Sequence, residues 1–219
     1  MKLILIAPSG GGKGSLADLI VKDYNIPNIS TGDILREHRK NGTELGKIAD
    51  KYINDGILVP DNVMIDIIKD RIAKKDCNNG YILDGFPRTL NQAVALTDAG
   101  IKIDSVVELD VAENLIVERL AGRWTCEGKE CGFIWNERFE GFTADSCATC
   151  KSPIFQREDD KPEAIRKRLA NYSNNSRAIL DYYKDQGTLF SVTVTPDFMP
   201  KDTYKVVDKH FTKLGFKKK

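Results

Sequence analysis

The chain has almost no imbalance of charge: 33 lysines and arginines face 32 aspartates and glutamates, for a formal net charge of +1. No whole-molecule field therefore draws it to nucleic acid or anionic lipid, and any basic site must be a local cluster. Long hydrophobic runs are missing too. The first apolar stretch, Leu3–Ala7, stops at Pro8 and is too short for the hydrophobic region of a secretory leader. No later run reaches the length of a membrane span. The expectation is a cytoplasmic protein with neither membrane nor nucleic acid as partner. Histidine is scarce: His38 and His210 are the only two, neither shows a partner, and neither is assigned a role. There is no internal repeat and no low-complexity linker. The C-terminal Lys217-Lys218-Lys219 reads as a solvated tail.

What is present fits a folded enzyme-sized unit. A hydrophobic content of 41% excludes a mostly disordered chain, and 219 residues suffice for one substantial core with smaller appended modules. Apolar runs of strand length alternate with stretches of helical period. Leu3–Ile6, Asn28–Ser30, Tyr81–Leu83, Ser105–Leu109 and Thr188–Val194 read as strands, the first as a buried parallel strand. Between them, Leu16, Leu19 and Ile20 lie at helical spacing. Thr43 is placed to cap a helix with Leu45, Ile48, Ala49, Tyr52 and Ile53 on one face and Gly56 at its end. Met64, Ile67, Ile68 and Ile72 form another face behind Asp61. Asp160 with Glu163 resembles a capping box with Pro162 in the first turn, opening a stripe of Ile165, Leu169, Tyr172, Ile179 and Tyr183. Such alternation predicts an α/β fold whose parallel sheet is covered on both faces.

Two stretches break the alternation. Residues 31–59 hold two helical patterns and no strand, as a helical insertion would. Residues 123–160 are rich in cysteine and glycine with interspersed aromatics (Trp124, Phe133, Trp135, Phe139, Phe142), as a small β module would be.

The segment Ala7-Pro8-Ser9-Gly10-Gly11-Gly12-Lys13-Gly14-Ser15 lies between a strand and a helix, the context a phosphate-binding loop requires. Glycines at Gly10, Gly11, Gly12 and Gly14 let backbone N–H groups curl around phosphate oxygens, and the helix N-terminus adds its positive end. Lys13 is placed to reach the β- and γ-phosphates, and Ser15 carries a hydroxyl that can meet Mg2+. Ala7 stands where the pattern asks for glycine, which is tolerable at negative φ.

Further along, Gly80-Tyr81-Ile82-Leu83-Asp84-Gly85-Phe86-Pro87-Arg88-Thr89 joins Ile29–Asp33, Leu58–Asp61, Arg119–Arg123 and Arg157–Glu163 in order. With these segments the chain resembles an adenylate kinase of the long-lid bacterial type. The resemblance implies a P-loop NTPase-like parallel five-stranded sheet covered by helices, with a helical AMP-binding insertion and a small β lid. The core would comprise 1–30, 60–122 and 161–219, the AMP-binding insertion 31–59 and the lid 123–160. It further implies a monomeric enzyme that moves the terminal phosphoryl of ATP onto AMP, with Mg2+, giving two ADP.

The resemblance also distributes roles. Arg36 and Arg88 would hold the AMP phosphate, as planar forks match phosphate oxygens. Gln92, with an amide donor and an acceptor, would read the adenine edge. Thr31 and the backbones of Ile57, Leu58, Val59, Gly85, Phe86, Pro87 and Arg88 would line the rest of that site. Arg119, Arg123, Ile134 and Trp135 would lie on the ATP side, while Arg157 and Arg168 clamp the transferring phosphoryl. Asp84 and Asp33 would orient Mg2+-bound waters. Catalysis would then rest on countercharge from Lys13, Arg36, Arg88, Arg123, Arg157, Arg168 and the metal, with no nucleophilic side chain, since the AMP phosphate is already an anion. Departures from the family pattern are Ser9 for proline, Trp124 for a second lid arginine, and Val194–Phe198 for a glycine turn behind adenine.

Cys126-x4-Cys131 and Cys147-x2-Cys150, with fifteen residues between, resemble the metal-bearing lid of some bacterial relatives, and four thiolates suit a closed structural Zn2+ site; iron is the second metal of choice, and a lid packed by reduced or disulfide-paired cysteines is the alternative. Cys77 reads as an incidental surface or semi-buried thiol. The competing readings are a UMP or CMP kinase, a P-loop switch or motor, and a zinc-ribbon nucleic-acid binder. The motor has no use for Arg36, Arg88 and Gln92. The nucleic-acid binder fits poorly with Glu127, Glu130, Glu137, Glu140 and Asp145 set against Lys129 and Arg138.

Overall fold

A computed structural model describes residues 1–54, 58–128, 131, 133–137 and 145–219. Strand β1 (Lys2–Ile6) leads through the glycine turn into α1 (Lys13–Tyr24), and β2 (Asn28–Ser30) runs straight into α2 (Thr31–Lys40). Helices α3 (Glu44–Asn54) and α4 (Asp61–Ile72) follow, and then β3 (Tyr81–Asp84), α5 (Leu90–Asp98), β4 (Ser105–Val111) and α6 (Glu113–Ala121) alternate. Three short strands come next, β5 (Arg123–Cys126), β6 (Ile134–Asn136) and β7 (Ile154–Phe155). Helix α7 (Pro162–Asp185), β8 (Leu189–Val194) and α8 (Pro200–Lys213) complete the order.

The main sheet has the order β2-β3-β1-β4-β8 with every pair parallel, and the short strands form an antiparallel sheet in the order β6-β5-β7. Alternation along β1 explains why both faces are covered. Leu3 and Leu5 join one core with Leu16, Ile20, Ile116, Val207 and Phe211, whereas Ile4 and Ile6 join the other with Ile68, Leu96, Ile179 and Tyr183. The expected five-stranded parallel sheet covered by helices is therefore present, with β3 extending to Asp84 and β4 to Val111. Helix α8, to which the sequence reading assigned nothing, packs on α1 through Phe211, which is fully buried and edge-on to Tyr24.

Several local expectations change in three dimensions. Thr43 does cap α3, its Oγ1 accepting from the Gly46 N–H at 3.1 Å. Asp160 does not cap α7: the cap position falls on Lys161 without a side-chain bond, and the Asp160 carboxylate is committed to Arg123 instead. The lysine tail is docked rather than free, with Lys218 Nζ at 3.0 Å from Asp23 and 2.9 Å from Asp208. Both histidines have partners. His38 Nδ1 lies 2.9 Å from Thr43 Oγ1, and His210 stacks on Phe190 with Nε2 3.0 Å from Ser105 Oγ. Cys77 is buried, with its sulfur 3.1 Å from Arg71 Nη1. Gly56, Lys129, Glu130, Arg138, Phe139, Glu140 and Phe142 lie outside the described residues.

The α2–α3 corner is unusually close. A Cβ on Gly46 would sit 2.2 Å from the His38 carbonyl oxygen, a backbone atom that cannot swing aside. Gly46→Ala is expected to lower unfolding free energy by about 1–3 kcal/mol through overpacking, measured by denaturant titration.

Candidate active site

The site is built at the carboxyl ends of β1 and β3, where loops of a parallel sheet converge. Gly10 and Gly12 hold φ values of 82° and 95°, and a Cβ on Gly11 would lie 2.8 Å from Ala7 Cβ. Only glycine meets both demands without displacement. Ala7 is not among the residues with positive φ, so its methyl group is accommodated. Helix α1 starts at Gly12 with no side-chain cap, leaving its first-turn N–H groups to whatever enters the loop. Lys13 Nζ donates to the carbonyls of Ala7 at 2.7 Å and Pro8 at 3.1 Å. Burial, then the neighbouring Arg88, Arg168 and Arg123, hold its ammonium down at about 8, with Asp84 pulling the other way.

Around that lysine the structure gathers arginines from distant parts of the chain. Arg88 leaves β3 just beyond Gly85, its Nε donating to the Gly85 carbonyl at 2.8 Å. Arg123, on β5, is bidentate on the buried Asp160, with Nε 2.7 Å from Oδ2. Arg168, two turns into α7, donates from Nη1 to the Asp159 carboxylate at 2.7 Å and from Nη2 to Ser9 Oγ at 2.6 Å. Arg157 Nε donates to Thr125 Oγ1 at 2.9 Å. Desolvation, then mutual repulsion, lowers the proton affinity of Arg88, Arg157 and Arg168. Burial alone would raise the Asp159 carboxyl, but Arg168, Arg123, Arg157 and Arg36 outweigh it and hold it below its usual range. The cleft is thus short of anions.

Next to it lies a second pocket of ≈ 370 Å³, counted out to its mouth, lined by Thr31, Leu35, Leu58, Val59, Met64, Gly85, Phe86, Arg88 and Gln92. Thr31 Oγ1 donates to the Gly85 carbonyl at 3.0 Å, tying α2 to the turn after β3. Gly85 has φ 81°, and a Cβ there would lie 2.9 Å from Thr31 Oγ1. Gln92 is buried and doubly fixed: Nε2 donates to Asp61 Oδ1 at 2.7 Å, and Oε1 accepts from the Arg88 N–H at 2.7 Å.

Thr31, Leu58, Val59, Gly85, Phe86, Arg88 and Gln92 come together in one pocket, and Pro87, fully buried between Phe86 and Arg88, follows a cis peptide bond. Ile57 lies outside the described residues. Arg36 does not line the pocket; it ion-pairs with Asp33 on its own helix, so Asp33 faces a guanidinium here. Leu35 and Met64 were not singled out as site residues. Met64 was read only as part of an apolar helix face, Leu35 was given no reading, and together they form the pocket's apolar wall. Asp84 sits at the end of β3, close enough to Lys13 to act on its charge, with exposed Gly14 and Ser15 in the first turn of α1. Arg119 is half-buried in the last turn of α6, its carbonyl accepting from Asn136 Nδ2 at 2.7 Å. Ile134 pairs with Thr125 and therefore shares the face of Arg123, whereas Trp135 pairs with Trp124 and points to the opposite face.

The sulfurs of Cys126, Cys131, Cys147 and Cys150 lie within 4.8 Å of one another, and none is in a disulfide. Four thiolates around a tetrahedral Zn2+ with bonds of about 2.3 Å would stand about 3.8 Å apart, so small adjustments bring this set into register. The Gly128 N–H donates to Cys126 Sγ at 3.2 Å, and a Cβ on Gly128 would crowd Cys150 Sγ at 3.0 Å. The donor set fits the metal.

The depressed Lys13 amine has a measurable consequence. An unfolded lysine titrates near 10.5, so the folded state binds fewer protons between about 8 and 10.5. This group's contribution therefore makes the protein more stable as pH rises through that window, while below it the cost of burying the charge is felt in full. Nitrogen-detected NMR of Lys13 is expected to show a midpoint near 8 that moves upward when a polyphosphate fills the loop.

Comparison with known proteins agrees with this geometry. The family profile described as "Adenylate kinase" matches residues 5–188. The chain is 46% identical over 194 residues to the adenylate kinase of Caldicellulosiruptor bescii, covering 86% of this chain and 89% of that protein. It is 44% identical over 212 residues to that of Caldicellulosiruptor saccharolyticus, covering 94% and 97%. It is 44% identical over 202 residues to that of Archaeoglobus fulgidus, covering 90% and 92%. With a glycine loop, an arginine-walled cleft and a second pocket on a five-stranded parallel sheet, this chain belongs to the adenylate kinase family.

Proposed function

We propose that the protein transfers the terminal phosphoryl group of ATP to AMP, reversibly, giving two ADP. The observation that carries this reading is one arginine, Arg88, which lines the second pocket and faces Lys13 across the cleft. A phosphate held there would stand between the glycine loop and the second pocket. ATP would lie along the glycines of the loop, with Lys13 and Arg123 on its phosphates and Arg119 and Ile134 on its nucleoside. Trp135, on the far face of the lid sheet, would act through its backbone. AMP would fill the second pocket, its base against Leu35, Met64 and the Gln92 amide, its phosphate on Arg88 and on an Arg36 released from Asp33.

Arg157 and Arg168 would then close on the phosphoryl in flight, moving from Thr125 and Asp159 to its oxygens. The residues supply position and countercharge; no side chain needs to take a proton from the acceptor, which is already anionic. Mg2+, carried in with ATP, would supply further positive charge against the phosphates, and the Ser15 hydroxyl and the Asp84 carboxylate are the groups that would hold it or its waters. The four cysteines would hold a structural Zn2+ that fixes the short β sheet. Balanced charge gives no whole-molecule pull toward nucleic acid or anionic lipid, in keeping with nucleotides as the partners, and no helix among the described residues is long and apolar enough to cross a membrane. UMP or CMP is less favoured as acceptor, because a pyrimidine leaves the apolar wall at Leu35 and Met64 underfilled.

A coupled assay for ADP is expected to show ATP consumption that depends on AMP and is far slower with UMP or CMP. Arg88→Ala should lower kcat/KM by about 10²-fold or more while leaving the unfolding midpoint in place; near-normal turnover would reject the acceptor site. Removing metal with a chelator under reducing conditions is expected to lower the melting temperature, with recovery on adding Zn2+. An unchanged midpoint after verified removal would reject a stabilising metal.

A further inference from the structure

One side-chain contact joins α7 to the phosphate loop: Arg168 Nη2 donates to Ser9 Oγ at 2.6 Å, between residues 159 positions apart. The same guanidinium is held on its other nitrogen by Asp159, through the carbonyl at 2.9 Å and the carboxylate at 2.7 Å. A guanidinium has donors only, so both neighbours are acceptors, yet they differ in what they do to its charge. Asp159 neutralises it. Ser9 holds it without neutralising it.

Ser9 is itself well anchored. Pro8 before it is buried, with its carbonyl accepting from both Gly11 N–H and Lys13 Nζ, and Gly10 after it is locked at φ 82°. A serine there has one side-chain torsion and a hydroxyl that cannot wander far. Had proline occupied this position, as in the family pattern, Arg168 would have no hydroxyl to rest on.

We propose that Ser9 is a positioning residue for phosphoryl transfer: its neutral hydroxyl is the pivot that keeps Arg168 Nη2 at the mouth of the phosphate loop while Nη1 exchanges the Asp159 carboxylate for an oxygen of the transferring phosphoryl. The inference rests on the kinase reading given above. Without the pivot, an arriving anion has to draw the whole guanidinium away from Asp159 and orient it in the same step. With the pivot, one hydrogen bond persists through the exchange, and the order lost and regained is confined to the other edge. The contribution then falls on the chemical step more than on binding, because ATP alone is already held by the loop glycines and Lys13.

The test is a double-mutant cycle on the full-length protein, using Ser9→Ala, Ser9→Thr and Arg168→Lys, with ATP and AMP as the probes. Ser9→Ala is expected to lower kcat about tenfold, as loss of a hydrogen bond to a charged group would, with KM values and the calorimetric Kd for ATP changed less than about twofold. Ser9→Thr, which keeps the hydroxyl, should recover kcat to within about threefold of the parent. In the Arg168→Lys background, Ser9→Ala should cost nothing further, since the fork it supports is gone. Melting midpoints report any merely structural effect and are expected to stay level. An unchanged kcat in Ser9→Ala overturns the inference, as does an equal loss in both backgrounds or a loss that follows the melting midpoint. Absence of AMP-dependent ATP consumption by the parent protein would instead overturn the kinase reading, and this inference with it. Normal parent turnover beside an unaffected Ser9→Ala overturns this inference alone.

Discussion

The structure depends on keeping several cations together in a cleft that has no anion of its own to spare. Lys13, Arg88, Arg157 and Arg168 are stripped of part of their water and repelled by their cationic neighbours, Arg123 among them, and both effects weaken their hold on a proton. Such a cluster survives only because the scaffold opposes it. Asp84 sits at the end of a buried strand, Asp159 and Asp160 bracket the start of α7, and the loop carbonyls of Ala7 and Pro8 take the lysine amine. In the proposed reaction these groups are the counterweights that an incoming nucleotide would replace, so binding would relieve a tension already present in the fold. An isolated surface ion pair contributes little, but a carboxylate as buried as Asp160 is held in place by the paired Arg123 guanidinium.

The sheet makes this possible by bringing unrelated segments to one edge. Residues 13 and 84 are neighbours because β1 and β3 are adjacent and parallel, with Leu5 in register with Asp84. Crossover helices on both faces put every strand's carboxyl end on the same side, so each loop that follows a strand can contribute to one cleft. Alternating side chains of β1 hold the two cores apart and fix that strand against slipping, because a shift by one residue would exchange Leu3 and Leu5 with Ile4 and Ile6.

Much of this was legible in the residues because the signals were local. Glycines, the following lysine and the flanking strand announce the phosphate loop, and DGFPRT carries its neighbours in fixed order. What was not legible depends on partners distant in sequence. Asp160 with Glu163 has the spacing of a capping box, but an arginine 37 positions earlier claims the carboxylate. The lysine tail looks solvated until α1 and α8 bring Asp23 and Asp208 beneath it. Arg36 has the right neighbours in sequence for a phosphate ligand, yet with Asp33 one turn away the shorter path to an anion lies along its own helix. Met64 illustrates a different limit: apolar periodicity tells which face is turned inward, not whether that interior is filled or hollow.

The double tether of Gln92 fixes its amide in one of two senses. A carboxylate can only accept, so the nitrogen end is bound to face Asp61 and the oxygen end to face the Arg88 amide. An amide that cannot flip is a one-way template. If Gln92 reads the base as proposed, it would accommodate a ring edge whose acceptor and donor run in the matching order, and a purine that carries oxygen where adenine carries its exocyclic amine would present that order reversed. The handedness of base reading would then be set before any base arrives, through a neighbour, Asp61, that need never touch the ligand.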